Sequence, residues 1–321
     1  MLVDREIVLV DNNTEALLHR IGLEALPRVV IESGEENKSI LTVSSVWKQM
    51  MELGMTRHSR LINVGGGMVM DLGGFAASTY KRGICFVNVP TTLLAMVDAS
   101  VGGKNGVNFG GIKNGVGVFR EADEVRVYPE LLETLDIKEI LSGYAEMLKH
   151  GFVGGMDLLD RTYSYDIERL DINDLKVLIN ANIDLKRSIV SEDFSEQGRR
   201  KVLNFGHTAG HAFEELGVEK ELGLRHGYCV AWGMVVAAYI SVVKCGLERG
   251  ELTRLRSFVR EMWGELPFDC SHYARLYEIM CGDKKNWGGR VNFTLLRKIG
   301  DMVTDVDVEK ELIFEAIDFL R

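Results

Sequence analysis

The sequence predicts an α/β chain in two domains, a parallel sheet with helices on both faces followed by a mostly α-helical domain. Three observations carry this. Short apolar runs alternate with helix-period segments over the first part of the chain. Several of these runs stop at Asp, Gly or Pro-Thr, residues at which strands hand over to turns. Beyond about residue 137 nearly every segment reads with helical period. Length agrees, because 321 residues make about two domains at ~150 residues each.

Taken in order, Glu6–Val10 is an apolar run ending at Asp11, and Arg28–Ile31 is a second. Leu61–Val64 ends at Gly65-Gly66-Gly67, Ile84–Val89 at Pro90-Thr91-Thr92, and Glu124–Tyr128 at Pro129. Lys38–Leu53 and Val69–Thr79 between them read as helices. Buried strands alternating with helices imply a parallel sheet, and such sheets bind ligands beyond the carboxyl ends of their strands. Ile137–Phe152, Asn173–Val190, Arg199–Leu216, Tyr228–Cys245, Glu251–Trp263 and Ser271–Met280 then read as helices, with Val291–Leu296 alone strand-like. The expected boundary lies near residue 150, giving domains 1–150 and 151–321.

Composition excludes some classes of function. There are 38 Lys+Arg against 47 Asp+Glu, a net charge of −9, which argues against a nucleic-acid coat while leaving room for a local basic pocket. Thirty-four glycines against 4 prolines fit tight phosphate-binding turns better than a flexible linker. The start carries charge by Asp4 and has no secretory apolar core. The uncharged stretch Tyr228–Val243 is shorter than the ~20 residues a membrane-spanning helix needs. Five cysteines without a Cys-x-x-Cys pair do not make a disulfide framework. A cytoplasmic protein with no membrane and no nucleic-acid partner is expected.

Several segments carry chemistry. Gly65-Gly66-Gly67, followed by Asp71 and Gly73-Gly74, opens a helix after a strand; backbone N–H groups there can approach a pyrophosphate. Its spacing is not Gly-x-Gly-x-x-Gly, and alone it reads equally well as a tight strand-to-helix turn. Thr91, Thr92, Asp98, Gly102-Gly103-Lys104 and Lys113-Asn114 form a dense polar stretch suited to a phosphate-bearing ligand. Glu146 has Lys149 one turn on, which alone reads as an intrahelical ion pair. His207 and His211 lie four apart on one helix face, but Thr208 stands where a zinc peptidase would carry its glutamate. Glu146, His207 and His226 would make a two-imidazole, one-carboxylate set with an open position, the layout of a catalytic zinc. Lys186, Arg200 and Asp283-Lys284-Lys285 add cations for substrate carboxylate and phosphate.

Taken jointly, Gly-Gly-Gly-x-x-x-Asp, Pro-Thr-Thr-Leu-Leu, Val-Gly-Gly-Lys, Lys-Asn, Ala-Glu-x-x-Lys and Asn-x-Gly-His-x-x-Gly-His resemble the 3-dehydroquinate synthase family in order and spacing, over a stretch from Gly34 to Lys285. The resemblance implies a Rossmann-like NAD domain, a helical metal-binding domain, and NAD plus a divalent metal, usually zinc and sometimes cobalt. It implies NAD contacts at Asp11, Glu35, Lys38, Gly66, Gly67, Asp71, Thr91, Thr92, Leu131 and Thr134. Asp98, Lys104, Lys113 and Asn114 would lie where nicotinamide meets substrate. Glu146, His207 and His226 match the metal ligands. Lys149, Lys186, Arg200, Asn204, His211 and one of Lys284 or Lys285 match substrate positions. Arg82 matches an arginine that reaches the neighbouring subunit's site, which implies a homodimer. The implied substrate is 3-deoxy-D-arabino-heptulosonate 7-phosphate, converted to 3-dehydroquinate with loss of phosphate through transient oxidation, β-elimination, re-reduction, ring opening and aldol closure. His211 is the expected proton relay.

The chain departs from the family pattern in three places. It starts close to the strand carrying Asp11, without the strand pair that precedes it in most members. Phe194 stands where the family carries a carboxylate, and His150 where it often has Tyr. The competing readings are another sugar phosphate cyclase, whose blocks at His211 and Lys113-Asn114 usually differ, and a metal-dependent polyol dehydrogenase, which needs no dense set of phosphate-binding lysines.

Overall fold

The computed structural model describes residues 3–282 and 291–321, and the chain divides into two compact units. The first comprises residues 1–136 and 170–195; the second comprises residues 137–169 and 196–321.

In the first unit β1 (Glu6–Asp11), β2 (Arg28–Ile31), α1 (Ile40–Glu52), β3 (Arg60–Gly65), α2 (Gly67–Thr79) and β4 (Cys85–Pro90) follow one another. After a π-helical turn, Ala95–Ala99, come β5 (Lys104–Phe109), β6 (Ile112–Phe119) and β7 (Glu124–Val125). Five strands form a parallel sheet in the order β2-β1-β3-β4-β7. Alternate side chains go to opposite faces, and both faces are buried. Ile7, Leu9, Leu61 and Phe86 pack on one side with residues of α1 and α2, and Val8, Val10, Ile62, Val64, Val87 and Val89 on the other with Leu18. The strands therefore read as continuous apolar runs. Ser39 caps α1 by accepting from the Thr42 N–H at 3.2 Å, and Val43, Val46 and Met50 recur at helical spacing on its buried face.

The expected strand over Glu124–Tyr128 shortens to two residues. The antiparallel hairpin β5–β6 was not among the expected elements, because its residues form no apolar run or clean alternation. Its two strands approach through glycine: a Cβ on Gly117 would lie 2.3 Å from the Asn105 carbonyl oxygen.

At residue 137 the chain passes to the second unit with α3 (Ile137–Gly154) and α4 (Met156–Ser164), then returns with α5 (Ile172–Glu192). A boundary near 150 would cut α3 in its last turns. The change of unit falls at Asp136, and α5 belongs with the sheet unit, since Lys186 is bonded to Asp98 there. Asp171 starts α5 by accepting from the N–H groups of Asn173 and Asp174 at 3.0 and 3.2 Å.

The second unit continues with α6 (His207–Glu219), α7 (His226–Cys245), α8 (Arg249–Trp263), α9 (Tyr273–Gly282), the antiparallel pair β8 (Val291–Lys298) and β9 (Asp301–Val308), and α10 (Lys310–Leu320). The helix expected over Arg199–Leu216 is instead a 3-10 turn, Arg199–Asn204, then a break at Gly206 (φ 80°), then α6. Gly206 takes the left-handed conformation that a side chain would disfavour, so α6 begins at His207 itself. By length and composition α7 could cross a membrane, yet 67% of its apolar window is buried among α3, α6, α8, α10 and β8. Its uncharged circumference is that of a helix at the centre of a bundle.

Candidate active site

In the first unit the expected cofactor contacts gather at the carboxyl edge of the sheet, where β1 ends at Asp11, β3 at Gly65 and β4 at Pro90. Asp11 is buried and its Oδ1 accepts from the Asn13 N–H, the Thr14 N–H and the Thr14 hydroxyl at 3.0, 2.8 and 2.9 Å. Gly66 caps α2, and a Cβ there would come within 3.3 Å of Thr92 Cγ2, so the backbone lies bare beside the threonine pair. Thr91 is buried and its N–H donates to the Gly65 carbonyl at 2.9 Å; the Thr92 hydroxyl accepts from the Ala95 N–H at 3.1 Å.

Lys38, 3% exposed, donates to Asp71 Oδ2 and Asn114 Oδ1, each at 2.6 Å, with Glu35 Oε1 3.9 Å away. Burial pushes the Asp71 carboxyl above the usual range, and Lys38 opposes that rise. Asn108, which the sequence did not single out, ties this group together. Its N–H donates to the Lys38 carbonyl at 2.8 Å, its amide donates to Glu35 Oε1 at 3.0 Å, and its Oδ1 accepts from the Asn114 N–H at 2.8 Å. Asp98 sits in the π-turn, where both its carboxylate and its carbonyl accept from buried Lys186 at 2.6 Å. Such single π-turns inside helices recur at functional sites. Lys104 and Lys113 are exposed on the hairpin, and Thr134 is exposed beside Leu131, whose side chain is in the core and leaves only backbone to offer a ligand.

Arg82 is the expected site residue that stands apart in this unit. It is exposed in the turn before β4 at φ 69°, at the amino edge of the sheet, opposite Asp11 and Gly65. Phe194, in place of a carboxylate, packs edge-on against Phe119 of the hairpin with ring centroids 5.8 Å apart.

In the second unit Glu146, His207 and His226 converge. Their ligand atoms all lie within 4.8 Å of one another. Glu146 is wholly buried on α3. Its Oε2 accepts from Lys149, so the intrahelical pair exists, and its Oε1 has no hydrogen-bond partner. That oxygen lies 3.6 Å from His207 Nε2 and 3.6 Å from His226 Nε2. A carboxylate oxygen without a partner at 0% exposure is costly unless something positive takes the space, and two imidazoles with one carboxylate are the ligand chemistry of a zinc-type ion. The residues fit a divalent metal.

Burial opposes ionisation of Glu146, but Lys149, His207 and His226 outweigh it and hold the carboxyl well below the usual range. Burial and Lys149 hold the His207 ring well below its ordinary value, so it is neutral. His226 goes the other way: burial is outweighed by Glu146 and Glu214, which push it up to about 10. His211 lies beside both other histidines of the cluster, with ring centroids 5.2 Å from His207 and 5.9 Å from His226. Arg200 is 2% exposed, and Asn204 donates to Glu196 Oε1 at 2.8 Å. His150 is wholly buried one turn beyond Glu146. Lys284 and Lys285 lie outside the described residues.

Sequence reasoning missed Glu214, whose Oε2 lies 3.0 Å from His226 Nδ1. The signal was present: His207, His211 and Glu214 recur at i, i+4 and i+7 along α6 and so share a face.

Comparison with known proteins extends this picture. The family model described as 3-dehydroquinate synthase N-terminal matches residues 28–142, and the one described as 3-dehydroquinate synthase C-terminal matches residues 143–286. A 3-dehydroquinate synthase of Parabacteroides distasonis is 44% identical over 323 residues, covering 99% of this chain and 92% of that protein. One from Thermococcus kodakarensis is 39% identical over 303 residues, covering 94% and 83%. Among solved structures, a 2-epi-5-epi-valiolone synthase from Streptomyces hygroscopicus with NAD+ and Zn2+ bound superposes with a TM-score of 0.86 at 26% identity, covering 98% of this chain and 90% of that one. A 2-deoxy-scyllo-inosose synthase complexed with carbaglucose-6-phosphate, NAD+ and Co2+ gives 0.82 at 25%, with the same coverage. Both halves of the chain match one family's two models in sequence order, and full-length relatives carry the same name; the chain belongs to the 3-dehydroquinate synthase family.

Proposed function

We propose that the chain converts 3-deoxy-D-arabino-heptulosonate 7-phosphate to 3-dehydroquinate and phosphate, as a carbon–oxygen lyase of the shikimate pathway, with NAD and a divalent metal as cofactors. The observation that carries this is the Glu146–His207–His226 set around a buried, unpartnered carboxylate oxygen, in a chain whose nearly full-length relatives are 3-dehydroquinate synthases. Zinc is the preferred metal, with cobalt a working substitute, since the ligand set suits either.

Bound NAD would supply hydride chemistry at the substrate carbinol carbon, and a divalent ion held by Glu146, His207 and His226 would supply charge to polarise the oxygen there. The protein contributes position and charge. Asp11, Gly66, Gly67, Thr91 and Thr92 line the sheet edge that would hold the dinucleotide, with Glu35, Lys38, Asp71, Lys104, Lys113, Leu131 and Thr134 as its further contacts. Lys104, Asn114 and the late lysine (284 or 285) cradle phosphate, and Lys186 and Arg200 hold the substrate carboxylate. Asp98 orients Lys186 through the two bonds it accepts, and Lys149 holds Glu146 ionised. Asn204 contacts substrate, and His211, beside the ligating imidazoles, carries the proton. Arg82 completes the phosphate site of a neighbouring copy in a homodimer, in keeping with its place at the sheet edge opposite Asp11 and Gly65. None of the five cysteines is in a disulfide, consistent with a cytoplasmic setting.

The test is direct. Purified protein with NAD and zinc, given the heptulosonate phosphate, should release inorganic phosphate and form 3-dehydroquinate with no net accumulation of NADH. Stoichiometric NADH would identify a dehydrogenase instead, and phosphate release with a different carbocycle would identify another cyclase.

A further inference from the structure

We propose that Glu214 is a positioning residue of the metal centre: its carboxylate holds the Nδ1–H of His226 and thereby turns Nε2 towards Glu146 and the ion. The inference rests on the proposed reading of Glu146, His207 and His226 as metal ligands, and it adds a residue from outside that set.

The geometry gives each imidazole a distinct outer partner. His207 Nδ1 lies 3.2 Å from the Phe205 carbonyl oxygen, which can only accept, so that nitrogen carries hydrogen and Nε2 is the one offered towards Glu146. Backbone two residues away fixes this ring. His226 has Glu214 Oε2 at 3.0 Å from Nδ1 and Glu146 Oε1 at 3.6 Å from Nε2. An ionised carboxylate accepts and does not donate, so the same division holds for the second ring, with Nδ1–H on Glu214 and Nε2 on the ion's side. His226 is the first residue of α7, and its acceptor comes from α6, two turns beyond His207. One helix thus carries both a ligand and the group that orients the other helix's ligand. A carboxylate on the far nitrogen of a ligating imidazole fixes its tautomer and strengthens it as an electron-pair donor, and removing such a partner commonly weakens metal binding about 10- to 100-fold.

His211, Glu214 and His226 also bring their ligand atoms within 4.8 Å of one another. Glu214 as a direct ligand of a second ion is therefore the rival that the experiment must separate.

Full-length protein stripped with a chelator is titrated with Zn2+ by calorimetry, and with Co2+ followed by its visible absorption, for wild type, Glu214→Gln and Glu214→Ala. The amide oxygen of Gln still accepts the Nδ1–H but lacks the charge. The expected result is one ion per chain throughout, Zn2+ affinity weakened about tenfold in Glu214→Gln and about 100-fold in Glu214→Ala, a shifted Co2+ spectrum in Glu214→Ala that Gln partly restores, and unchanged melting of the metal-free proteins. The inference is overturned if Glu214→Ala binds Zn2+ as wild type does, if lost affinity merely tracks lost melting temperature of the metal-free chain, or if stoichiometry falls from two ions to one. Should Glu214→Ala not fold, the Glu214→Gln comparison decides by itself. Wild type that binds no ion overturns the metal reading instead, an outcome distinct from all of these.

Discussion

A Cβ added to Gly227 would stand 2.0 Å from the Ser142 carbonyl oxygen, and the Gly227 N–H donates to the Ser142 hydroxyl at 3.0 Å. This contact seats the first turn of α7 directly on α3, one turn before Glu146, and so places His226 beside it. A second such contact joins α6 to α7, where a Cβ on Gly233 would lie 2.0 Å from the Gly206 carbonyl oxygen. Glu146, His207 and His226 meet because two helix pairs touch backbone to backbone.

Gly227→Ala should therefore act on the centre without touching a ligand. The obstructing atoms are backbone and cannot rotate away, so the helices must separate, at a cost of about 1–3 kcal/mol. Thermal unfolding of the metal-free protein should fall accordingly, and Zn2+ affinity should drop with every ligand intact. Wild-type melting and affinity would show that the contact does not set the ligand geometry.

Metal binding should depend on pH through one proton. In the metal-free chain Glu146 is ionised and His207 neutral, while His226, pushed up to about 10, is protonated. The ion needs the Nε2 lone pair, so binding displaces that proton, and affinity rises about tenfold per pH unit up to about 10. The sign for folding is the opposite. A histidine raised above its ordinary 6.5 stabilises the metal-free fold below that value and loses its contribution as pH rises through about 10. Calorimetry in buffers of different ionisation enthalpy counts the proton directly; no proton release near neutral pH would refute this assignment.

Lys38→Met should separate the two cofactors. It removes a buried cation that bonds Asp71 and Asn114 in the sheet unit. Charge-assisted hydrogen bonds of this kind are worth about 1.5–3 kcal/mol, so NAD affinity should fall about tenfold or more. Zn2+ affinity serves as the control, since Glu146, His207 and His226 are in the other unit, and it should stay within about twofold of wild type. Asn108→Ala, which unties Glu35 and Asn114, should weaken NAD in the same direction by less. Fluorescence titration with NADH reports both.

Arg82→Ala and His207→Ala should each be inactive alone and regain activity when mixed and allowed to exchange subunits. In a mixed dimer one site has its metal and receives the partner's Arg82, so about a quarter of all sites recover. No recovery, with exchange demonstrated by mass, would place Arg82 in its own chain's site or outside catalysis.

Much of this protein was legible in its residues before any coordinates. Asp11, Gly65 and Pro90 mark strand ends because an apolar run meeting a turn residue is a local event, and a parallel sheet follows from the alternation of such runs with helices. Glu146, His207 and His226, which the fold brings together, could be named as a set because the motifs that hold them are short and their order specific. Other features depend on which segments touch. The Gly206 break, the β5–β6 hairpin, the Asn108 tie, the Asp98–Lys186 bond across 88 residues and the Glu214–His226 pair have weak local signatures. Asn108 and Glu35 stand 73 residues apart and Asp98 and Lys186 88, and such pairs become visible once packing brings their side chains within hydrogen-bonding range. Periodicity and spacing encode what each segment is; which carboxylate faces which imidazole is settled by close packing, which acts between segments and leaves little trace within any one of them.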